Sequence, residues 1–182
     1  MTVLASASRD LVPSSKPSAA LANWMVLRTK PRQEKAVARF LAAAGSQFYL
    51  PLINRCRFVG PRKLRSQLPL FPGYIFLFGT LDEAYAAVST KRVCQILAVP
   101  DHVQFEREIE QISLALAHRG IVELYPGAVV GRRCRVTRGP FIGIEGVVAS
   151  RLGVDRLVLQ VSMLGQGAAL EIDIDLLEPI DE

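Results

Sequence analysis

PLFPGYIF, residues 69 to 76, puts two prolines, a glycine and three aromatics into eight positions of a basic chain. Proline lacks the donor that a central strand needs and glycine weakens a strand, so a ladder-forming segment should avoid both. Yet the residues that follow, Tyr74-Ile75-Phe76-Leu77-Phe78, read as a strand. Pro69 and Pro72 therefore stop pairing, Gly73 turns the chain, and a strand opens abruptly with Tyr74, Phe76 and Phe78 on one face and Ile75 and Leu77 on the other.

Upstream, WMVLRT (24–29) reads as a first strand, and Pro31 suits the first turn of a helix, where its missing donor is harmless. Ala36, Val37, Phe40, Leu41 and Ala44 recur at helical spacing and form one apolar stripe. Gly45 ends that helix. QFYLPLI (47–53) is a second strand or extended segment. NRCRFVGPRKLRSQ then carries the turn signal Gly60-Pro61, which predicts a hairpin or long loop projecting from the sheet.

Downstream, LDEAYAAVST (81–90) suits a short helix with Asp82 and Glu83 in its first turn. VCQILAV (93–99) reads as a strand, and residues 103–118 return to the helical period through Phe105, Ile109, Ile112 and Leu116. Beyond residue 126 short β-like runs are broken by glycines. Leu157, Leu159 and Val161 alternate with Val158 and Gln160, and Leu170, Ile172 and Ile174 alternate with Glu171, Asp173 and Asp175. Period two marks half-buried strands, and several short ones close together suggest a small barrel. The expected division is a leader at 1–23, an α+β domain at 24–118, a linker at 119–127 and an all-β domain at 128–182.

Of 182 residues half are hydrophobic, enough for a core, and the formal net charge is +5. Its distribution is more telling than its sum. Residues 24 to 65 hold ten Lys and Arg against Glu34 alone, whereas residues 66 to 182 hold ten bases and fifteen acids. Such a local excess fits either a nucleic-acid footprint or a solvated face. Cys56, Cys94 and Cys134 lack the spacing of a zinc site or a disulfide framework, so reduced thiols are expected, with Cys94 and Cys134 in the core. His102 and His118 are too isolated to define a catalytic site, and no cofactor motif is present. No metal, cofactor or enzymatic activity is expected. No apolar run approaches the length of a membrane span and no secretory signal is recognisable, which leads to the expectation of a cytoplasmic protein without membrane partners.

Two longer patterns carry a resemblance. GRRCRVTRGPFIGIEGVV (131–148), followed by SMLGQGAALEI (162–172), resembles the KOW motif of transcription elongation factors and some ribosomal proteins. There Gly139-Pro140 makes a tight turn, and Gly143 and Gly146 permit bends. WMVLRTKPRQEKAVARFL (24–41) looks like the opening of the NusG N-terminal domain, and PLFPGYIF is similar to the segment where that family has Pro-Gly-Tyr before a central strand. The order of the two matches is that of the NusG/RfaH family. The basic insertion at 54–68, the PLF before Pro-Gly-Tyr and the aromatic Tyr74 and Phe76 lean toward specialised paralogues of the RfaH type. RfaH's histidine and threonine cluster has no counterpart in AYAAVSTKR (84–92).

The resemblance implies an α+β fold, with an N-terminal antiparallel sheet flanked by helices and a small SH3-like KOW barrel. It implies a monomeric elongation and antitermination factor whose N-terminal domain docks on the clamp helices of the largest RNA polymerase subunit. Candidate polymerase contacts are Phe71, Pro72, Tyr74, Phe76 and Arg92, the aromatics being the type enriched at such interfaces. Lys30, Arg32, Arg55, Arg57, Arg62, Lys63 and Arg65 are candidates for upstream duplex or non-template DNA, mostly at phosphates. Phe141, Ile142, Leu164 and Gly165 occupy positions that would meet Rho or a small-subunit ribosomal protein. A ribosome-associated or RNA-binding KOW protein is the alternative, and it leaves Trp24 to Leu41 and PLFPGYIF unexplained.

Overall fold

The computed structural model describes residues 22–60, 62–118, 122–126, 131–151 and 154–180. The leader expected at 1–23 lies almost wholly outside them. The chain divides into two compact units, Met1–His102 and Val103–Glu182.

In the first unit, β1 (Asn23–Thr29), α1 (Glu34–Ala43), β2 (Gln47–Tyr49), a hairpin of β3 (Leu52–Val59) and β4 (Arg62–Pro69), β5 (Tyr74–Gly79), α2 (Leu81–Ser89) and β6 (Val93–Ala98) follow in order. Four strands form an antiparallel sheet ordered β2-β5-β1-β6, and the hairpin is a separate two-stranded sheet. Register opposes Leu27 to Ile75 and Met25 to Leu77. These four pack with Val37, Ala38 and Leu41 of α1 and Ala84 and Ala87 of α2 in one buried core. The helical stripe read from sequence is thus present, although Ala44 is exposed and Ala38 takes its place.

Pro31 does not open α1 as expected. Gln33 N donates to Lys30 O at 3.1 Å, so Pro31 occupies the second position of a turn, a place its fixed φ favours, and Gln33 stands at the N-cap position of α1 without a side-chain cap. At α2, Thr80 and Glu83 form a reciprocal capping box: Glu83 N donates to Thr80 Oγ1, and Thr80 N donates to Glu83 Oε2 at 2.8 Å. Burial alone would raise the Glu83 carboxyl. Hydrogen bonds from the Thr80 backbone and from the Ser46 and Thr80 side chains outweigh it and hold the group below its ordinary value. A depressed folded-state value means a stabilising contribution that is complete above the unfolded-state value and is lost as pH falls through the folded one. Thr80→Ala is expected to lower stability by about 1 kcal/mol. Glu83→Gln is expected to flatten the acid limb of a urea-denaturation pH series; an unchanged acid limb would contradict this role.

In the second unit, α3 (His102–Ala117), which begins one residue earlier, is followed by β7 (Val122–Pro126), β8 (Arg133–Val136), β9 (Glu145–Arg151), β10 (Val154–Val161), β11 (Gln166–Glu171) and β12 (Leu177–Pro179). The strands form one antiparallel sheet ordered β12-β8-β9-β10-β11-β7, which fits a KOW-type domain. Residues 122–126, read as linker, pair with β11 along Val122–Pro126. Apart from His102, helix α3 falls in this second unit, where Glu108 Oε2 accepts from Ser162 N at 3.0 Å and Gln111 Oε1 accepts from Glu145 N at 2.6 Å. The alternation at 170–175 is not one strand, because β11 ends at Glu171 and Ile174–Leu176 form a 3₁₀ turn. Leu157, Val158 and Leu159 are all buried in β10, which lies between β9 and β11, so alternation there does not mean a half-exposed strand.

Gly146 is crowded rather than bent. A Cβ there would lie 2.7 Å from Val158 O and 3.0 Å from Leu157 Cγ, a distance that real side chains do not tolerate against backbone. Cys134 is buried as expected, whereas Cys94 is exposed; both are free thiols. Among the described residues no helix is long and apolar enough to cross a membrane.

Candidate functional site

The PLFPG segment is fixed from three sides. Leu70 N donates to Pro51 O at 2.8 Å, Thr29 N donates to Gly73 O at 2.8 Å, and Gly73 N donates to Glu34 Oε1 at 2.7 Å. Gly73 has φ +86°, the left-handed region that a residue with a Cβ enters only with strain, and Tyr74 N closes the turn on Phe71 O at 3.2 Å. Glu34 is thereby explained: the one acid of the basic segment is 5% exposed because its carboxylate holds a backbone donor. Glu34→Ala leaves that donor without its partner and is expected to cost about 1–3 kcal/mol, measurable by chemical denaturation; a stability equal to the parent chain would remove Glu34 from the clamp.

The clamp sets the aromatics differently from the sequence reading. Phe71 and Phe76 are 1% and 0% exposed, and they pack edge-to-face with centroids 5.9 Å apart. Phe76 also stacks on Tyr49 at 6.3 Å, and Phe78 meets Trp24 at 5.4 Å. Phe71 and Phe76, read from the sequence as candidate polymerase contacts, are therefore buried rather than at the surface: Phe71 just ahead of β5, and Phe76 on β5, the inner strand between β2 and β1. Pro72 is exposed and Tyr74 half-buried, so these two remain at the surface.

The same end of the sheet gathers base after base. Register places Arg28 opposite Tyr74 on one side and Gln95 on the other. Lys30 N donates to Arg92 O at 2.8 Å, which joins the β1–α1 turn to the α2–β6 turn. Arg32 and Lys91, at φ +62° and +60°, hold left-handed backbone without being glycine. Arg28, Lys30, Arg32, Lys91 and Arg92 are all exposed. The structure thus brings the predicted Lys30, Arg32 and Arg92 together and adds Arg28 and Lys91, whose only sequence signal was their charge.

The hairpin holds the remaining bases. Its register runs unbroken from Leu52 opposite Pro69 to Val59 opposite Arg62. Arg55, Arg62 and Arg65 are exposed. Arg57 and Lys63 lie on the ladder, but their side chains fall outside the described ones. Lys35 Nζ donates to Gln67 O at 2.7 Å and ties the hairpin to α1.

In the second unit, residues 140–143 form the expected turn, with Gly143 N donating to Val136 O at 2.8 Å. Ile142 is 66% exposed. Phe141 is half-buried with its ring edge-to-face on His118 at 6.1 Å. Leu164 is half-buried, and Gly165 is an exposed left-handed cap of the Ser162–Leu164 turn. Arg135 pairs with Glu145, Nε to Oε1 at 2.8 Å. Among the described residues no group of His, Cys, Asp and Glu is placed to hold a metal ion.

Known proteins share long stretches of this chain. The transcription termination/antitermination protein NusG of Lactococcus lactis subsp. lactis (strain IL1403) is 30% identical over 118 residues, covering 61% of this chain and 63% of its own length. The chain thus matches less than two thirds of that relative. A solved structure titled for domain interaction in Thermotoga maritima NusG superposes with a TM-score of 0.47 at 22% identity, over 90% of this chain and 99% of the other. An MjSpt4:Spt5 complex superposes at 0.32 with 15% identity, over 87% and 97%. The family profile described as transcription termination factor nusG matches residues 22–116, more than half of the chain and the whole span from β1 through nearly all of α3. The chain belongs to the NusG family of transcription termination and antitermination factors.

Proposed function

We propose that the protein is an elongation and antitermination factor that binds RNA polymerase at the clamp helices of its largest subunit, favours processive elongation, and works in the cytoplasm or nucleoid. The observation that carries this reading is the clamped turn, where Glu34 and Thr29 fix Gly73 and hold Pro72 and Tyr74 at the surface beside Lys30, Arg32 and Arg92. A rigid aromatic and proline rimmed by bases is a pre-organised anchor with little side-chain entropy left to lose. Phe71 and Phe76 serve from beneath as its packed base. The basic hairpin meets upstream duplex or non-template DNA, and its length supports a specialised, RfaH-like paralogue. Phe141, exposed Ile142, Leu164 and Gly165 form the face that recruits Rho or a small-subunit ribosomal protein. No step of this function needs a catalytic group.

The test is transcription in vitro by core polymerase, with and without Rho. Adding the protein is expected to change both elongation rate and the fraction of Rho-terminated transcripts. If both stay at the level of polymerase alone, the reading fails.

A further inference from the structure

Resting on the reading of the hairpin as a nucleic-acid element, we propose that its β3–β4 ribbon enters the major groove of duplex DNA and reads base edges there through Asn54, Gln67 and Arg65. Register opposes Asn54 to Gln67 and Cys56 to Arg65, so these positions share one face of the ribbon by strand alternation. Asn54, Gln67 and Arg65 are exposed, and among the described residues none of the three side chains has a hydrogen-bond or ionic partner within the chain. Two amides and a guanidinium are the side chains that bond adenine and guanine edges in bidentate fashion. The opposite face holds Arg55 opposite Ser66 and, further along, Arg62, placed to follow phosphates.

Size favours the duplex. Two strands about 4.8 Å apart, with side chains, match a major groove about 12 Å wide, which admits a two-stranded ribbon. Each strand runs eight residues, so the ribbon is long enough to follow the groove. A-form RNA hides its bases in a deep and narrow major groove. Single strands are gripped by stacking successive bases on several aromatic rings, whereas β3 and β4 together carry one aromatic residue, Phe58. Lys35, bonded to Gln67 O, fixes the ribbon where the amides sit. Preference for a base sequence needs that rigidity, whereas attraction to phosphate does not.

The experiment enriches duplexes from a random-sequence DNA pool with the full chain and then measures binding at fixed salt. Probes are the enriched duplex, a scrambled duplex, the enriched single strand and an RNA duplex. The enriched duplex is expected to bind about tenfold tighter than the scrambled one. Asn54→Ala with Gln67→Ala is expected to abolish that ratio while leaving affinity for the scrambled duplex in place. Three results overturn the inference: no sequence enriched from the pool, tighter binding of the single strand or RNA duplex, or a ratio unchanged in the double variant. Of these, uniform binding of all duplexes leaves the broader nucleic-acid reading standing. Binding of no nucleic acid at all ends both.

Discussion

Phe76→Ala is expected to lower stability by about 3–5 kcal/mol, the range for emptying a fully buried aromatic site. Phe76 is 0% exposed and touches Phe71 and Tyr49 on an inner strand, so its removal opens a cavity that neighbours cannot fill without moving β5. Tyr74→Ala, two residues earlier and half-buried at the turn, is expected to cost much less. Urea denaturation of the two variants separates them. Equal and small losses would mean that Phe76 is not the packed base of the anchor. For binding studies, a variant that combines both substitutions mixes lost packing with lost surface contact, and only Tyr74→Ala tests the proposed surface anchor.

The second large effect concerns charge. Replacing Arg55, Arg62 and Arg65 together by alanine removes three exposed cations from an element that the core does not use. Stability should stay within about 0.5 kcal/mol. With Arg55 and Arg62 on phosphates, the slope of log affinity against log salt for elongation complexes falls by about 2, and binding at low salt drops by orders of magnitude. An unchanged slope would place the hairpin away from nucleic acid. Titration over a salt series is the required measurement, since one affinity at one salt concentration does not distinguish lost phosphate contacts from a distorted hairpin.

The sequence carried much of this fold. Helical spacing located α1 and α3, and first-turn acids α2, each to within about two residues, and Gly60-Pro61 announced the hairpin between β3 and β4. It carried less of the site, for a physical reason. Strand alternation says which side chains share a face, and Tyr74, Phe76 and Phe78 do share one. It does not say whether that face is buried, because burial depends on residues distant in sequence, such as Tyr49 beside Phe76 and Trp24 beside Phe78 on the neighbouring strands. The role of Glu34 was hidden in the same way: its partner, the Gly73 amide, is 39 residues away. Arg28 and Lys91 join the basic cluster only once the β1–α1 and α2–β6 turns are brought together. The apparent strand at 170–175 shows the reverse error, in which a regular pattern runs past the end of a strand into a 3₁₀ turn.

Binding to core RNA polymerase tests the central claim most directly. The full chain is titrated against the isolated clamp-helix segment of the largest subunit, beside Tyr74→Ala, each first confirmed folded by circular dichroism. The expected result is saturable binding by the parent chain, weakened about tenfold or more by the loss of a central aromatic anchor. No binding by the folded parent chain, or equal binding by the Tyr74→Ala variant, would contradict the account.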